Sequence, residues 1–462
     1  MILHQLQMNP NEFLSIIIIS ILIIIRLVVG LFIGDESMQR KPTVGGGKNN
    51  ARPHHTYGYP IKQKGVMKYN LSPEDEKIMM QTVTARNAPP QITYDDLKGR
   101  QQYVSDWGIK PGIHIGQRKL HLSEIEYLTN VLPADRTQMQ YVVYAGAAPS
   151  NHTNYLAGLF PHLKFILVDP ARFDIYMEDG RSHFETMPDH IKYLKRSFGA
   201  VTPADNIDRS KYLEYIRGAK DVTIFLIEDY FTDDLATLFA PLNAHFVSDI
   251  RTWSHGQEGT PSDLDVVWNL AMQYNWVRHM NPLTAMLKFR APFYDDATIT
   301  PTENERPAFD EAKRFGIDFV ADYNKKQFTY FGGIVYLQAW PAKSSSETRL
   351  VVSRPFNLKT YDYHEYEDKL FYYNTYDRGF KHHANPYATQ AIGFDHCNDC
   401  AHEAVIWDNY KNKFDSTFDV LSAVNYTSKL LKRNLFRGVH GHLYNPDMNY
   451  VRQTIERLKK ME

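Results

Sequence analysis

The chain has 462 residues, enough for one large domain with additions or for two, and 43% apolar against 23% charged residues describe an ordinary globular protein with a sizeable core. A formal net charge of −1 excludes a protein that lives by coating phosphate, while leaving room for a local basic groove. The two cysteines, Cys397 and Cys400, exclude a disulfide scaffold and fit a reducing compartment.

Residues 1–37 form a hydrophobic N-terminal segment, in which Phe13 to Ile33 is apolar except for Ser15, Ser20, Arg26 and Gly30. Its length is close to the roughly 20 residues that cross a bilayer, although a mid-run arginine is costly there. It has neither a basic start nor a small-residue cleavage site, which argues against a cleaved signal peptide. Three readings stay open: a membrane anchor, a hydrophobic appendage, or upstream sequence joined by a mis-called start, with Met38 as the alternative start. A membrane is a partner only under the first.

Residues 38–90 read as a flexible polar arm, rich in Gly, Pro and basic residues up to about position 70 and carrying one helical patch near Ser72–Thr84. Residues 91–380 hold the core. Leu120–Leu132 is a predicted helix, Tyr141–Gly146 a strand, Asn151–Leu159 a helix and Lys164–Asp169 the next strand. Val222–Ile227, His245–Asp249 and Leu283–Phe289 are further predicted strands, with helices at Thr232–Phe239 and Ser262–His279 between them. Polar stretches near 172–217 and 296–327 read as insertions. Residues 381–462 form a helical C-terminal region, as in Ser416–Phe436, where apolar residues recur at helical spacing. This alternation predicts an α/β fold, with a mostly parallel sheet covered by helices on both faces.

The strand ending at Tyr144-Ala-Gly146 runs through Ala-Ala148-Pro149-Ser-Asn-His152 into a helix, a turn of the kind that takes a nucleotide. Gly146 would let backbone approach a ligand, and a helix start offers free amides. Alone, this is an ordinary strand-to-helix turn. The next strand, however, ends in Asp169, where an acid can accept two ribose hydroxyls. The pair suits an adenosine cofactor. The chain has no full G-x-G-x-x-G and no G-x-x-x-x-G-K-[ST], which argues against dinucleotide binding and nucleotide hydrolysis.

Six ordered segments then resemble a known family: Gly116-Gln-Arg-Lys119-Leu, Tyr144-Ala-Gly-Ala-Ala-Pro149-Ser-Asn-His152, Val168-Asp169, Val247-Ser-Asp249-Ile-Arg251, Leu287-Lys288-Phe-Arg290-Ala-Pro-Phe293 and Ser346-Glu347-Thr-Arg349-Leu. Over roughly residues 94–437 the chain looks like the poxvirus-type cap-specific mRNA 2′-O-methyltransferases of large DNA viruses, which double as stimulatory subunits of the viral poly(A) polymerase. The resemblance implies a Rossmann-like methyltransferase sheet and S-adenosyl-L-methionine as methyl donor. It implies capped mRNA as substrate, a poly(A) polymerase catalytic subunit as partner, and a cytoplasmic setting in the viral factory or virion. It also implies a catalytic tetrad, carried over onto Lys119, Asp249, Lys288 and Glu347. A non-catalytic polymerase subunit, or a methyltransferase acting on uncapped RNA, are the competing readings; the intact tetrad argues against the first as sole role.

The tetrad chemistry explains its residue types. A ribose 2′-hydroxyl must lose its proton as it attacks the methyl carbon, and burial beside the positive charge of Lys119 would make Lys288 the base. Asp249 and Glu347 would orient the lysines. The cap base is flat and cationic, so it is held by aromatic stacking and by carboxylates. By resemblance Phe293 is one ring, and Asp295 and Glu367 are the acids. The second ring lies upstream of Lys119, with Tyr94 the first choice and Tyr103 the other. Tyr230 and Phe231 would flank the adenine, or else pack in the core. Arg251, Arg290 and Arg349 would hold the donor carboxylate or RNA phosphate. His396-Cys397-Asn-Asp-Cys400-Ala-His402 invites a zinc reading, but all its ligands would come from one short stretch, so no metal is expected. Lys429–Arg437 is a basic stripe, either a solvated face or a contact for RNA or a partner.

Overall fold

The computed structural model describes residues 89–102, 115–199, 202, 206–252, 261–342, 345–378, 383–389, 391–432 and 435. The N-terminal segment, the arm with its Ser72–Thr84 patch, Tyr103 and most of 433–462 lie outside the described residues. No helix among the described residues is long and apolar enough to cross a membrane.

Eight strands form one sheet in the order β3-β4-β2-β1-β5-β6-β9-β8, where β1 is Gln140–Ala145, β2 Leu163–Val168, β3 Ile191–Lys195, β4 Ile224–Ile227, β5 His245–Ser248, β6 Thr284–Phe289, β8 Ile334–Tyr336 and β9 Thr348–Ser353. The run from β3 to β6 is parallel. β9 is antiparallel to both β6 and β8. A separate pair, β7 (Phe328–Phe331) with β10 (Leu358–Tyr361), is antiparallel. The expected α/β fold is therefore observed. The stretch read as an insertion at 172–217 holds β3, which extends the sheet edge, and the stretch at 296–327 holds helices Arg306–Arg314 and Phe319–Asn324.

Period-two alternation sorts each strand between two cores. Val143 and Ala145 of β1 point into one, with helices Asp233–Phe239 and Asp263–Met280. Val142 and Tyr144 point into the other, with helices Gly116–Val131, Thr153–Leu159, Asn398–Phe414 and Val420–Leu430. With helices on both faces, β2 is buried along its whole length, which is why its sequence reads LKFILV and not as an apolar–polar alternation. The C-terminal helices are thus part of the wall behind the Gly116–Val131 helix. Arg118 there makes a buried bidentate pair with Glu403, its Nε 2.7 Å from Oε2 and its Nη2 2.5 Å from Oε1.

The topology brings the chemistry to one edge. Gly146, Asp169, Tyr230 and Asp249 all follow the carboxyl ends of parallel strands, and Lys288 is the penultimate residue of β6. Because β9 runs the other way, its start also lies at that edge, with Arg349 opposite Lys288 in register and Glu347 just outside.

Candidate active site

Lys119, Asp249, Lys288 and Glu347 are far apart in sequence and meet in space. Lys119 Nζ donates to Glu347 Oε1 at 2.6 Å. Lys288 Nζ lies 3.0 Å from Asp249 Oδ1 and 3.5 Å from Glu347 Oε2. The four side chains are 11–18% exposed, so each is largely but not wholly buried. Beneath them Arg349, 2% exposed, reaches Asp249 Oδ1 at 2.7 Å and Glu347 Oε1 at 3.5 Å. Arg251 Nη2 is 2.5 Å from Glu347 Oε2.

This web decides the charges. Burial would raise the Glu347 carboxyl, but Lys119, Lys288, Arg349 and Arg251 together hold it well below the usual carboxylate range. Burial pushes the Lys119 amine down, with Glu347 pulling it back up and Arg349 and Lys288 adding to the fall. Gln273 fixes the Lys288 backbone from both sides, its Oε1 accepting from Lys288 N and its Nε2 donating to Lys288 O, each at 3.1 Å.

Arg349 and Gln273 carry roles that the sequence reading did not assign. The expected use of Arg349 on a donor carboxylate or phosphate is corrected by its burial: its guanidinium is spent on the two acids. A signal for it was present, since a buried arginine needs acids and position 349 faces Lys288 only once β9 is recognised as a strand.

On the donor side, Gly146 has φ +76°, and a Cβ there would meet Ile250 N at 2.9 Å. The glycine thus answers a close approach between two loops of the chain itself, not only to a ligand. Asp169 accepts from Ala148 N at 3.0 Å through Oδ2 and from Ala171 N at 2.8 Å through Oδ1. It ties the loop down and still keeps lone pairs for two hydroxyls. Burial raises its carboxyl. Gly146, Ala148 and Pro149 are partly exposed, and Tyr230 is 70% exposed.

Three expected donor contacts are turned inward and are corrected. Phe231 packs edge-on against Trp276, with centroids 5.0 Å apart, so it belongs to the core. Tyr144 is buried in the opposite core. His152 is 2% exposed and its Nε2 lies 2.6 Å from buried Glu124 Oε2, which fastens the donor loop to the Gly116–Val131 helix. Arg251 is engaged with Glu347, as above.

Along the same edge, Phe293 follows β6 and carries the Arg290 guanidinium 4.1 Å over its ring. Burial and the charges of Asp295 and Asp368 push the Glu367 carboxyl up, with His364 and Arg290 opposing. Burial and Asp263 push Asp295 up. Phe293, Asp295 and Glu367 therefore share one neighbourhood around Arg290, with negative charge in excess. Tyr94 does not complete it: its ring stacks on Tyr366 at 5.4 Å and has Lys369 Nζ 4.9 Å from its centroid. That expectation is corrected by packing.

Among the described residues, two groups of side chains have ligand atoms close enough for a metal, His121–Glu124–His152 and Asp395–Cys397–Cys400. The Cys397 side chain accepts from Cys400 N at the start of helix Asn398–Phe414.

The family model for poly(A) polymerase regulatory subunits matches residues 86–181 and 180–299. A cap-specific mRNA (nucleoside-2′-O-)-methyltransferase of fowlpox virus (strain NVSL) is 28% identical over 272 residues, covering 56% of this chain and 67% of that protein. One from myxoma virus (strain Lausanne) is 27% identical over 182 residues, covering 39% of this chain and 44% of that protein. Over these stretches the chain is similar to this poxvirus-type family. It spans less than half the length of the myxoma virus relative. Lys119, Asp249 and Lys288 fall inside the matched family segments, and Glu347 beyond them.

Proposed function

We propose that this protein is an S-adenosylmethionine-dependent methyltransferase acting on the 2′-hydroxyl of the first transcribed nucleotide of capped mRNA. The single observation that carries the reading is the convergence of two lysines and two carboxylates at the carboxyl edge of the strands that also lead to Gly146, Asp169 and Phe293. A surface ion pair does not bring four such groups from four separate segments onto one another.

The donor-side residues fit an adenosine cofactor. Asp169 would take the ribose hydroxyls, Tyr230 one face of the adenine, and the Gly146–Pro149 loop the rest of the nucleoside. S-adenosylmethionine supplies an electrophilic methyl carbon. The chain's own work is then to present the 2′-oxygen and move its proton. Lys288 Nζ takes that proton, while Asp249 and Glu347 aim the amine and Lys119 keeps Glu347 from swinging across it. Arg349 holds both acids from below. Phe293, Asp295 and Glu367 grip the cap, whose positive base offsets their excess negative charge.

The test is methyl transfer from labelled donor to one short RNA bearing a 7-methylguanosine cap, an unmethylated cap or no cap. Label entering the 2′-oxygen of the first nucleotide, and only with the methylated cap, supports the proposal. No transfer to any of the three, from protein that binds the donor, leaves the polymerase-subunit reading. That alternative draws on the family description and places a poly(A) polymerase catalytic subunit as partner.

A further inference from the structure

We infer that Asp263 is a positioning residue for cap selectivity, a role that rests on the cap reading above. Asp263 is the first residue of helix Asp263–Met280, and its side chain is 2% exposed. A carboxylate so placed costs several kcal/mol unless it is well bonded. Helix capping does not account for it, because Ser262 and Asp265 already form the complete capping box of that helix.

Its bonds go elsewhere. Oδ1 accepts from Phe293 N at 2.9 Å, and Oδ2 accepts from Asp295 N at 3.2 Å. The Tyr323 hydroxyl donates to Oδ2 at 2.8 Å. Arg290 Nη2 stands 3.8 Å from Oδ1, with its guanidinium over the Phe293 ring. One buried carboxylate thus receives the backbone amides of both loop residues assigned to the cap. Tyr294 between them has φ +58°, a conformation unfavourable for a bulky residue. Asp263 therefore holds a loop that would otherwise relax. Its charge also offsets that of Arg290, which would repel a cationic base arriving on the other face of Phe293.

Selectivity follows from geometry. Stacking and acid contacts discriminate a methylated from an unmethylated cap only while Phe293 and Asp295 keep a fixed spacing. Asp263→Asn retains one acceptor and turns the other into a donor facing a backbone N–H. Tyr323→Phe removes one bond to Oδ2 and leaves both amide bonds in place.

The experiment measures binding of short RNAs with methylated and unmethylated caps, alongside S-adenosylhomocysteine, by calorimetry on the full chain. It also measures hydrogen exchange at the amides of Phe293 and Asp295. Asp263→Asn should lower the preference for the methylated cap by roughly tenfold or more, the loss expected for bonds to a charged acceptor. S-adenosylhomocysteine affinity should stay within about twofold, since a merely destabilised fold would not separate the two ligands. The two amides should lose protection, and Tyr323→Phe should show a smaller change of the same sign. A folded Asp263→Asn protein with wild-type preference overturns the inference, as does Tyr323→Phe with a larger effect than Asp263→Asn. Wild-type protein with no preference for the methylated cap defeats the cap reading instead; unchanged exchange at Phe293 and Asp295 in Asp263→Asn then overturns the positioning role by itself.

Discussion

Around Asp249 and Glu347, two carboxylates meet four basic side chains within 3.5 Å: Lys119, Lys288, Arg349 and Arg251. Farther along the same edge, Asp295 and Glu367 have Arg290 as the cation acting on both. Burial raises carboxyls in both places, yet Glu347 ends well below the ordinary range and Glu367 above it. On the proposed function, the difference separates two tasks. Carboxylates already paired with basic side chains before substrate arrives keep a fixed geometry for proton transfer. A slot with unmatched negative charge gains most from a cationic ligand that brings the missing charge.

The largest effect should come from breaking the paired cluster at the amine proposed as the base. Lys288→Met should cut methyl transfer by roughly 10²–10⁴-fold, the usual worth of general acid–base catalysis, with donor and cap binding nearly intact in calorimetry. Lys288→Arg should fail as well, because arginine keeps its proton at any accessible pH. Substantial single-turnover activity in Lys288→Arg would send the base to Lys119, whose amine burial already pushes down.

Arg349→Met tests the pairing itself. Removing one partner from a buried charge network strips Asp249 and Glu347 of their most deeply buried donor, and thermal or denaturant unfolding should show a loss of roughly 3–5 kcal/mol. A variant as stable as wild type would mean that the lysines satisfy the acids unaided.

Asp169→Ala should weaken donor binding by at least roughly tenfold, since each bond to a carboxylate is worth about 1.5–3 kcal/mol. The structure adds that the loop should loosen too, because Ala148 N and Ala171 N lose their acceptor. Unchanged affinity in folded protein would remove the donor from this edge.

The smallest effect belongs to the unmatched slot. Glu367→Gln should reduce the preference for a methylated cap by a few-fold to roughly tenfold. Cap affinity of the wild type should also fall on acidification. A raised carboxyl takes up its proton before an ordinary one, at about pH 4.3, would, and the protonated acid no longer attracts the cationic base. Glu367→Gln should lack that limb; a pH profile identical to wild type would place the titrating acid elsewhere.

The sequence by itself determined the alternating core and the order of the chemical motifs. The short apolar run KFILVD and the helical spacing of Ser262–His279 are strong local signals, so the existence of these elements and their bounds to within a residue follow from local pattern. The motif acids and lysines were legible through the family resemblance of the segments that carry them, and Asp169 through its strand-end position as well. Only tertiary structure decided which aromatic and basic side chains face the site. Tyr94, Tyr144, His152, Phe231 and Arg349 stand in the same short segments as exposed candidates, and one residue of register or one turn of helix separates an open face from a core contact. It also decided that 191–195 is a sheet strand and that β9 runs antiparallel, because pairing partners lie far away in the chain and leave no local mark. Asp263 shows the same limit most sharply: at a helix start it reads as a cap, and only packing turns its carboxylate toward the amides of Phe293 and Asp295, some thirty residues on.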